Sequence, residues 1–251
     1  MYYKIKAIVP SAGIGKRFGS NISKPFQKLG GKPLIVWSLE ALESVEEIEE
    51  IIPVLREDII EKGADIFRKY NLSKIKRIAR GGKERQDSVY NGLKLIDDKN
   101  CIVLIHDGVR PFIDKDLIEK TIKELLLPPY PPLSMSLLKG GKGGVKGFDG
   151  VVLGVPIKDT IKEAERGIIK RTLKRDSLWA IQTPQVFPYA IISKVYERSI
   201  RDGFYSTDDA ALVEKYGGKI KVIMGSYRNI KITTSEDLIT AESLLSRSLS
   251  S

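Results

Sequence analysis

Residues 7–42, AIVPSAGIGKRFGSNISKPFQKLGGKPLIVWSLEAL, carry the decisive pattern of this chain. An apolar run at 5–9 breaks into a loop with Gly13, Gly15 and Gly19, and the cations Lys16, Arg17 and Lys24 are interleaved with those glycines. Glycine lets backbone N–H groups approach phosphate oxygens with no Cβ in the way, and a loop after a strand presents those groups outward. The cations neutralise the anion, so the loop is expected to hold a nucleotide. A glycine turn with solvated lysines is the bland alternative, and for an isolated G-x-G it would be the better one. Here the spacing decides. It is neither GxxxxGK[ST] nor the helix-opening G-x-G-x-x-G, because Arg17 and Phe18 precede Gly19.

Outward from this loop, short β-rich apolar runs alternate with helix-length amphipathic segments, the pattern of a mostly parallel sheet covered by helices. Strands are predicted at 5–9, 51–55, 76–79, 101–106, 150–155 and 219–224, with a further short strand around Lys231. Helices are predicted at 33–44, 57–69, 85–94, 114–127, 189–202, 207–215 and 235–246. The 251 residues fit one α/β domain, taken as 1–246 with a frayed tail at 247–251. The segment 128–150, PPYPPLSMSLLKGGKGGVKGFDG, resists regular structure and is expected to be a flexible insert. Its Lys139, Lys142 and Lys146 form a phosphate clamp on a functional reading and a solvated loop on the bland one.

The formal net charge of +10 raises nucleic acid as a partner, but the lysines are spread along the chain without interleaved aromatic residues. No nucleic acid is therefore expected, and the charge reads as a solvated surface with a small part serving anionic substrates. A single Cys101 excludes an intrachain disulfide, and with His106 as the sole histidine a Cys/His zinc site is disfavoured. MYYKIKAIV enters a strand-like segment directly, and no apolar run approaches spanning length. The expectation is a cytoplasmic protein with no membrane partner.

Five further strings carry chemistry. GGKERQDSV, 81–89, puts two glycines after a strand and ahead of a helix, where its backbone, Arg85, Asp87 and Ser88 can read a nucleobase or simply cap the helix. HDGVRPF, 106–112, sets Asp107 at the carboxyl end of a strand, where ligands bind in open α/β sheets, so its carboxylate can hold a divalent metal directly or through water. PIKDTIK, 156–162, and LWAIQTPQVF, 178–187, read as loop-like strings whose Lys158, Thr160, Gln182 and Thr183 suit a phosphorylated polyol. TDDAAL, 207–212, reads as a capped helix start with Thr207 or Asp208 at the cap. Finally Lys231, just ahead of a helix capped by Thr234 or Ser235, is placed to reach a phosphate.

SAG-x-G-x-R-F-G followed by KPF resembles the signature loop of nucleotidyltransferases that join a polyol or sugar phosphate to a nucleoside triphosphate. With GGKERQDSV, HDGVRPF, PIKDTIK, LWAIQTPQVF, TDDAALVE and NIKITTSEDL in the same order, nearly the whole chain resembles the 2-C-methyl-D-erythritol 4-phosphate cytidylyltransferase family. The resemblance implies a Rossmann-like nucleotidyltransferase, usually a homodimer with a protruding arm, here about 151–170. It implies use of CTP and magnesium and release of pyrophosphate in the non-mevalonate isoprenoid pathway. It implies Arg17, Lys24 and Lys231 as catalytic cations, and Ser11, Ala12, Gly13, Gly15, Gly81, Gly82, Arg85, Ser88 and Asp107 on CTP, with Asp107 also near the metal. It implies Arg110, Lys158, Thr160 and Thr183 on the polyol phosphate. Ser11 and Phe18 stand where the family usually has Ala and Met, and Lys83 where it often has a small or acidic residue.

A sister family, the ribitol 5-phosphate cytidylyltransferases, shares the chemistry, and Val109 in HDGVRPF resembles its HDAVRPF. The lysine of PIKDTIK and the tryptophan of LWAIQTPQVF resemble the methylerythritol branch. A catalytically silent nucleotide-binding module is the other alternative, opposed by the presence of Arg17, Lys24, Asp107 and Lys231 together.

Overall fold

The computed structural model describes residues 4–13, 23–127 and 147–249. Gly15, Arg17 and the lysines Lys139, Lys142 and Lys146 lie outside them. Strand β1 (Lys4–Pro10) is buried on both faces, and its alternation sends Ile5, Ala7 and Val9 into one hydrophobic cluster and Ile8 into another. A short hairpin, β2 (Lys28–Leu29) with β3 (Lys32–Pro33), turns through Gly30 and Gly31, both at positive φ. It leads into α1 (Leu34–Glu43), which starts after Pro33 and buries Leu34, Ile35, Leu39 and Leu42. Next come β4 (Ile48–Leu55), α2 (Ile60–Lys69), β5 (Ala79–Arg80), α3 (Arg85–Lys94), β6 (Cys101–Ile105) and α4 (Lys115–Leu126). After the insert follow β7 (Gly150–Pro156), the hairpin β8 (Lys162–Glu165) with β9 (Ile168–Thr172), and β10 (Trp179–Pro188). The chain closes with α5 (Tyr189–Arg201), α6 (Asp209–Lys215), β11 (Ile220–Met224) and α7 (Ser235–Leu249).

Seven strands form one sheet in the order β11-β7-β10-β6-β1-β4-β5. All neighbours are parallel except β10, which runs antiparallel to both β6 and β7. One face packs on α1, α2 and α4 through Val36, Leu39, Phe67, Ile118 and Ile122; the other packs on α3, α5 and α6 through Val89, Leu93, Ile192, Val195 and Leu212. Each such side chain contributes on the order of 2 kcal/mol by leaving water. A third, smaller cluster joins Leu29, Leu34, Ile232 and Ala241, tying the C-terminal segment and α7 to the β2–β3 hairpin and α1.

The helix expected at 85–94 has those bounds, and α7 continues past the expected end to Leu249. Several expectations are corrected. The string at 178–187 is no loop but β10, inside the sheet; Pro184 disguises it, and a register shift between Ile181 and Gln185 accommodates the interruption. The strand expected at 76–79 is reduced to Ala79–Arg80, with a lone bridge between Ile51 and Ile75. Around Lys231 there is no strand: the segment has no regular structure and is attached by Ile232 N–H donating to Val109 O at 2.9 Å. Of the span 151–170 expected as an arm, the part up to Pro156 belongs to the sheet, and the β8–β9 hairpin beyond it is exposed along both strands. Asp149, expected in the insert, is fastened to Lys219 by two backbone-linked bonds of 2.7 and 2.8 Å. The cap of α6 is Asp208, whose carboxylate accepts from Ala211 N–H.

Candidate active site

The carboxyl ends of β1, β4, β5 and β6 share one edge, since Pro10 pairs with Val54, Leu55 with Arg80 and Ile8 with Ile105. The chain steps from β1 outward to β4 and β5, then returns to β6 on the other side of β1, so the strand order reverses there. Such a switch point opens a crevice at the strand ends. Ser11, Ala12 and Gly13 after β1, Arg56 after β4, Gly82 to Arg85 after β5 and Asp107 after β6 line a cleft of about 730 Å³, joined by Lys24, Ser88 and Lys231.

Asp107 is the hub. Its Oδ1 lies 3.2 Å from Arg85, and its Oδ2 lies 2.8 Å from Lys231 Nζ and 3.7 Å from Arg110 Nε. Burial favours the neutral acid, but Arg85, Lys231 and Arg110 outweigh it and hold the carboxyl far below its ordinary range. Its backbone N–H donates to Thr183 Oγ1 at 3.0 Å, and the threonine hydroxyl meets His106 Nδ1 at 3.1 Å. His106 Nε2 faces Arg110 O at 3.3 Å, which fixes the tautomer: Nε2–H donates to the carbonyl and Nδ1 accepts from Thr183 O–H. Complete burial drives the imidazole pKa down to about 4, so the ring is neutral.

Lys231 reaches this carboxylate because the residues around it are anchored. Ile232 is buried in the third cluster, and the buried Asn229 donates through Nδ2 to Thr183 O at 2.9 Å while its carbonyl accepts from Arg110 at 2.7 Å. On the opposite wall Arg85 opens α3, with Glu84 and Asp87 forming a capping box. Ser88 Oγ accepts from Gly82 N–H and donates to Glu84 O, both at 3.0 Å, so its hydroxyl shapes the glycine loop. Gly81 touches the first loop: a Cβ there would run into that of Ala12.

Of the residues named from sequence, Ser11, Ala12, Gly13, Lys24, Gly82, Arg85, Ser88, Asp107 and Lys231 converge on this cleft. Arg110 and Thr183 sit behind Asp107, both buried, and act on its carboxylate and its backbone. Thr183 therefore has its hydroxyl engaged within the protein rather than facing the cleft. Lys158 and Thr160 lie elsewhere: Lys158 lines a separate depression with Arg175, Asp176 and Tyr227, its ammonium 3.7 Å from the centre of the Tyr227 ring, and Thr160 is exposed. Sequence reasoning missed Arg56, whose signal was its place directly after a buried strand, and Asp209, one of two adjacent acids at a helix start. Asp209 is fully buried and clamps Arg85 through both oxygens, at 3.0 and 2.8 Å.

Comparison with known proteins agrees with this geometry. The family model described as IspD, 2-C-methyl-D-erythritol 4-phosphate cytidylyltransferase, matches residues 5–127 and 144–247, passing over most of the Pro/Gly/Lys-rich insert. A protein of that name from Clostridioides difficile is 43% identical, covering 95% of this chain and 92% of its own; one from Geotalea uraniireducens is 39% identical, covering 96% and 97%. The crystal structure of 4-diphosphocytidyl-2C-methyl-D-erythritol synthase from Anaerococcus prevotii superimposes with a TM-score of 0.79 at 35% identity, covering 97% of this chain and 96% of that one. With the match extending from β1 to α7 and through every loop that builds the cleft, the chain belongs to the 2-C-methyl-D-erythritol 4-phosphate cytidylyltransferase family.

Proposed function

We propose that this protein transfers the cytidylyl group of CTP to 2-C-methyl-D-erythritol 4-phosphate. The products are 4-diphosphocytidyl-2-C-methyl-D-erythritol and pyrophosphate, in non-mevalonate isoprenoid precursor biosynthesis. The observation that carries the reading is the cleft at the switch point, where a glycine loop, Lys24, Arg85 and Lys231 surround one buried carboxylate in a chain of this family. A phosphate oxygen of the polyol attacks the α-phosphorus of CTP, and the bond to the bridging oxygen of the β-phosphate breaks. Little covalent chemistry falls to the protein, so positioned cations supply most of the acceleration.

Lys24 and Arg17 act on the triphosphate, and Lys231 bridges the α-phosphate and the incoming phosphate. Gly82, Arg85 and Ser88 shape the nucleoside end, with Ser88 holding the loop rather than the base. Arg110 and Thr183 serve the polyol side through their hold on Asp107. Lys158 and Thr160 stand near the arm.

Magnesium is the expected cofactor. Among the described residues no cluster of three or more His, Cys, Asp or Glu side chains could cage a metal ion, whereas Asp107 offers one carboxylate at the cleft wall. That donor set fits an ion carried mainly by CTP phosphates, with Asp107 as its protein partner directly or through water. When bound, it would neutralise phosphate charge.

A homodimer is supported by the β8–β9 hairpin, where Ile168 and Ile169 are 73% and 60% exposed, and by the start of β10, where Trp179 and Ile181 are also uncovered. No helix among the described residues is long and apolar enough to cross a membrane, and a cytoplasmic site of action is part of the proposal.

The test is pyrophosphate release with magnesium and CTP, offering methylerythritol 4-phosphate and ribitol 5-phosphate in parallel, with ATP, GTP and UTP as controls and excess chelator as a further arm. Turnover of methylerythritol phosphate with CTP, abolished by chelator, is expected. Preference for ribitol phosphate would move the substrate to the sister family, and silence with every pair would favour a nucleotide-binding module. Undiminished activity in chelator would remove magnesium.

A further inference from the structure

Five ionisable side chains form one charged network at the cleft: Arg85, Asp107 and Lys231 line it, and the buried Arg110 and Asp209 stand behind them. Their contacts divide unequally. Asp209, fully buried at the start of α6, takes both terminal nitrogens of Arg85 in a two-pronged clamp. Asp107 takes Nε and Nη2 of Arg85 on one oxygen alone, each at 3.2 Å, and has its other oxygen turned to Lys231 and Arg110. Asp209 is itself held by the hydroxyl of the buried Tyr196 from α5.

The frame around the clamp is rigid. Gln185 of β10 fixes the start of α6 from both sides, donating to Asp208 at 2.8 Å and accepting from Ala210 N–H at 3.0 Å. Gln86, next to Arg85, accepts from Ser206 N–H and donates to Ser199 and to Phe204 O, so the first turn of α3 is tied to α5 and to the loop before α6.

We infer that Asp209 is a positioning residue for CTP: it absorbs the charge of Arg85 and sets the guanidinium's direction, leaving Asp107 and Lys231 available to the nucleotide. The inference rests on the proposed function for the identity of the nucleotide. Without the Asp209 charge, Arg85 has only Asp107 as counter-ion and turns onto it, closing the cleft floor upon itself. An asparagine at 209 keeps the volume but presents an N–H₂ toward a guanidinium that has no acceptor, so at most one prong survives.

The experiment measures CTP affinity by calorimetry, with magnesium and without polyol phosphate, alongside steady-state kinetics and thermal unfolding. Asp209→Asn is expected to raise the CTP Kd and KM by about ten-fold or more, the size of one charge-assisted contact, with a smaller change in kcat. If Asp209 acts through Arg85, the double variant Asp209→Asn/Arg85→Gln binds CTP no more weakly than Arg85→Gln alone. Wild-type CTP affinity in Asp209→Asn, or losses that multiply in the double variant, would overturn the inference. Should Asp209→Asn fail to fold, Tyr196→Phe removes only the supporting hydroxyl and is expected to raise the CTP Kd several-fold; an unchanged Kd there overturns it equally. A wild-type protein that binds another nucleotide but not CTP fails the proposed function instead, and the same variants are then titrated with that nucleotide. Binding of no nucleotide at all overturns both.

Discussion

Lys231 Nζ lies 2.8 Å from Asp107 Oδ2, so the cation proposed for the α-phosphate is paired with the carboxylate proposed to face magnesium. The pair is unequal: the Asp107 side chain is nearly buried, while that of Lys231 is 40% exposed. The carboxylate is the fixed element, and the lysine can exchange it for a phosphate. The contact therefore holds the lysine at the cleft while contributing little to stability, since half-exposed ion pairs contribute about 1 kcal/mol or less.

Lys231→Ala is accordingly expected to lower kcat by roughly two to three orders of magnitude, as for loss of one preorganised cation, with only a small change in thermal midpoint. Lys231→Arg should recover part of the loss, because the charge is kept but its geometry is not. Lys24→Ala and Arg17→Ala should behave like Lys231→Ala. Steady-state kinetics with parallel melting curves decide, and a variant near wild-type turnover would take its residue out of the mechanism.

His106 predicts a pH dependence of stability. Its folded-state pKa of about 4 lies below the ordinary value of 6.5, so between these values the unfolded chain binds the proton and the folded chain does not. Stability from this group is complete above about pH 6.5 and is lost progressively as pH falls to 4, by about 3 kcal/mol at the limit. Asp107, whose folded pKa is depressed, adds a loss of the same sign at still lower pH. Urea unfolding of the wild type and His106→Asn at pH 7 and pH 4.5 should show the steeper decline in the wild type. Equal slopes would show that the imidazole is not held neutral by burial.

Gly108 predicts a packing defect at the cleft. A Cβ there would overlap Ser11 Oγ and press on Val9 and Ile35 at 3.1 and 3.2 Å. Gly108→Ala should cost about 1–3 kcal/mol and displace the loop carrying Ser11, weakening CTP binding as well. Chemical denaturation and CTP titration measure both effects, and wild-type values in each would mean the loop yields freely.

The β8–β9 hairpin predicts self-association. Ile168 and Ile169 are mostly exposed on it, next to charged pairs such as Arg171 with Glu163. Replacing both isoleucines with glutamate should shift the protein from dimer to monomer in sedimentation velocity with the fold intact by circular dichroism. A wild-type chain that is monomeric at all concentrations would end the role of this arm as an interface.

The first strand, the helix at 85–94 and the carboxylate at a strand end were legible in the chain itself. Each depends on local causes: apolar periodicity, the backbone freedom of glycine, and the turn chemistry that ends a strand. β10 was hidden, because Pro184 mimics a loop and an antiparallel partner between β6 and β7 depends on pairing rather than propensity. Thr183 consequently read as a substrate contact when its hydroxyl supports Asp107 from within the sheet. Asp209 read as one more acid in a helix cap because nothing near it in sequence reveals that Arg85 will lie against it. The sequence alone thus determined which residues have the chemistry to hold a nucleotide. Only the tertiary structure decided which of them face the cleft and which brace it, since charge partnership and burial arise between segments far apart in the chain, brought together by packing on the two faces of one sheet.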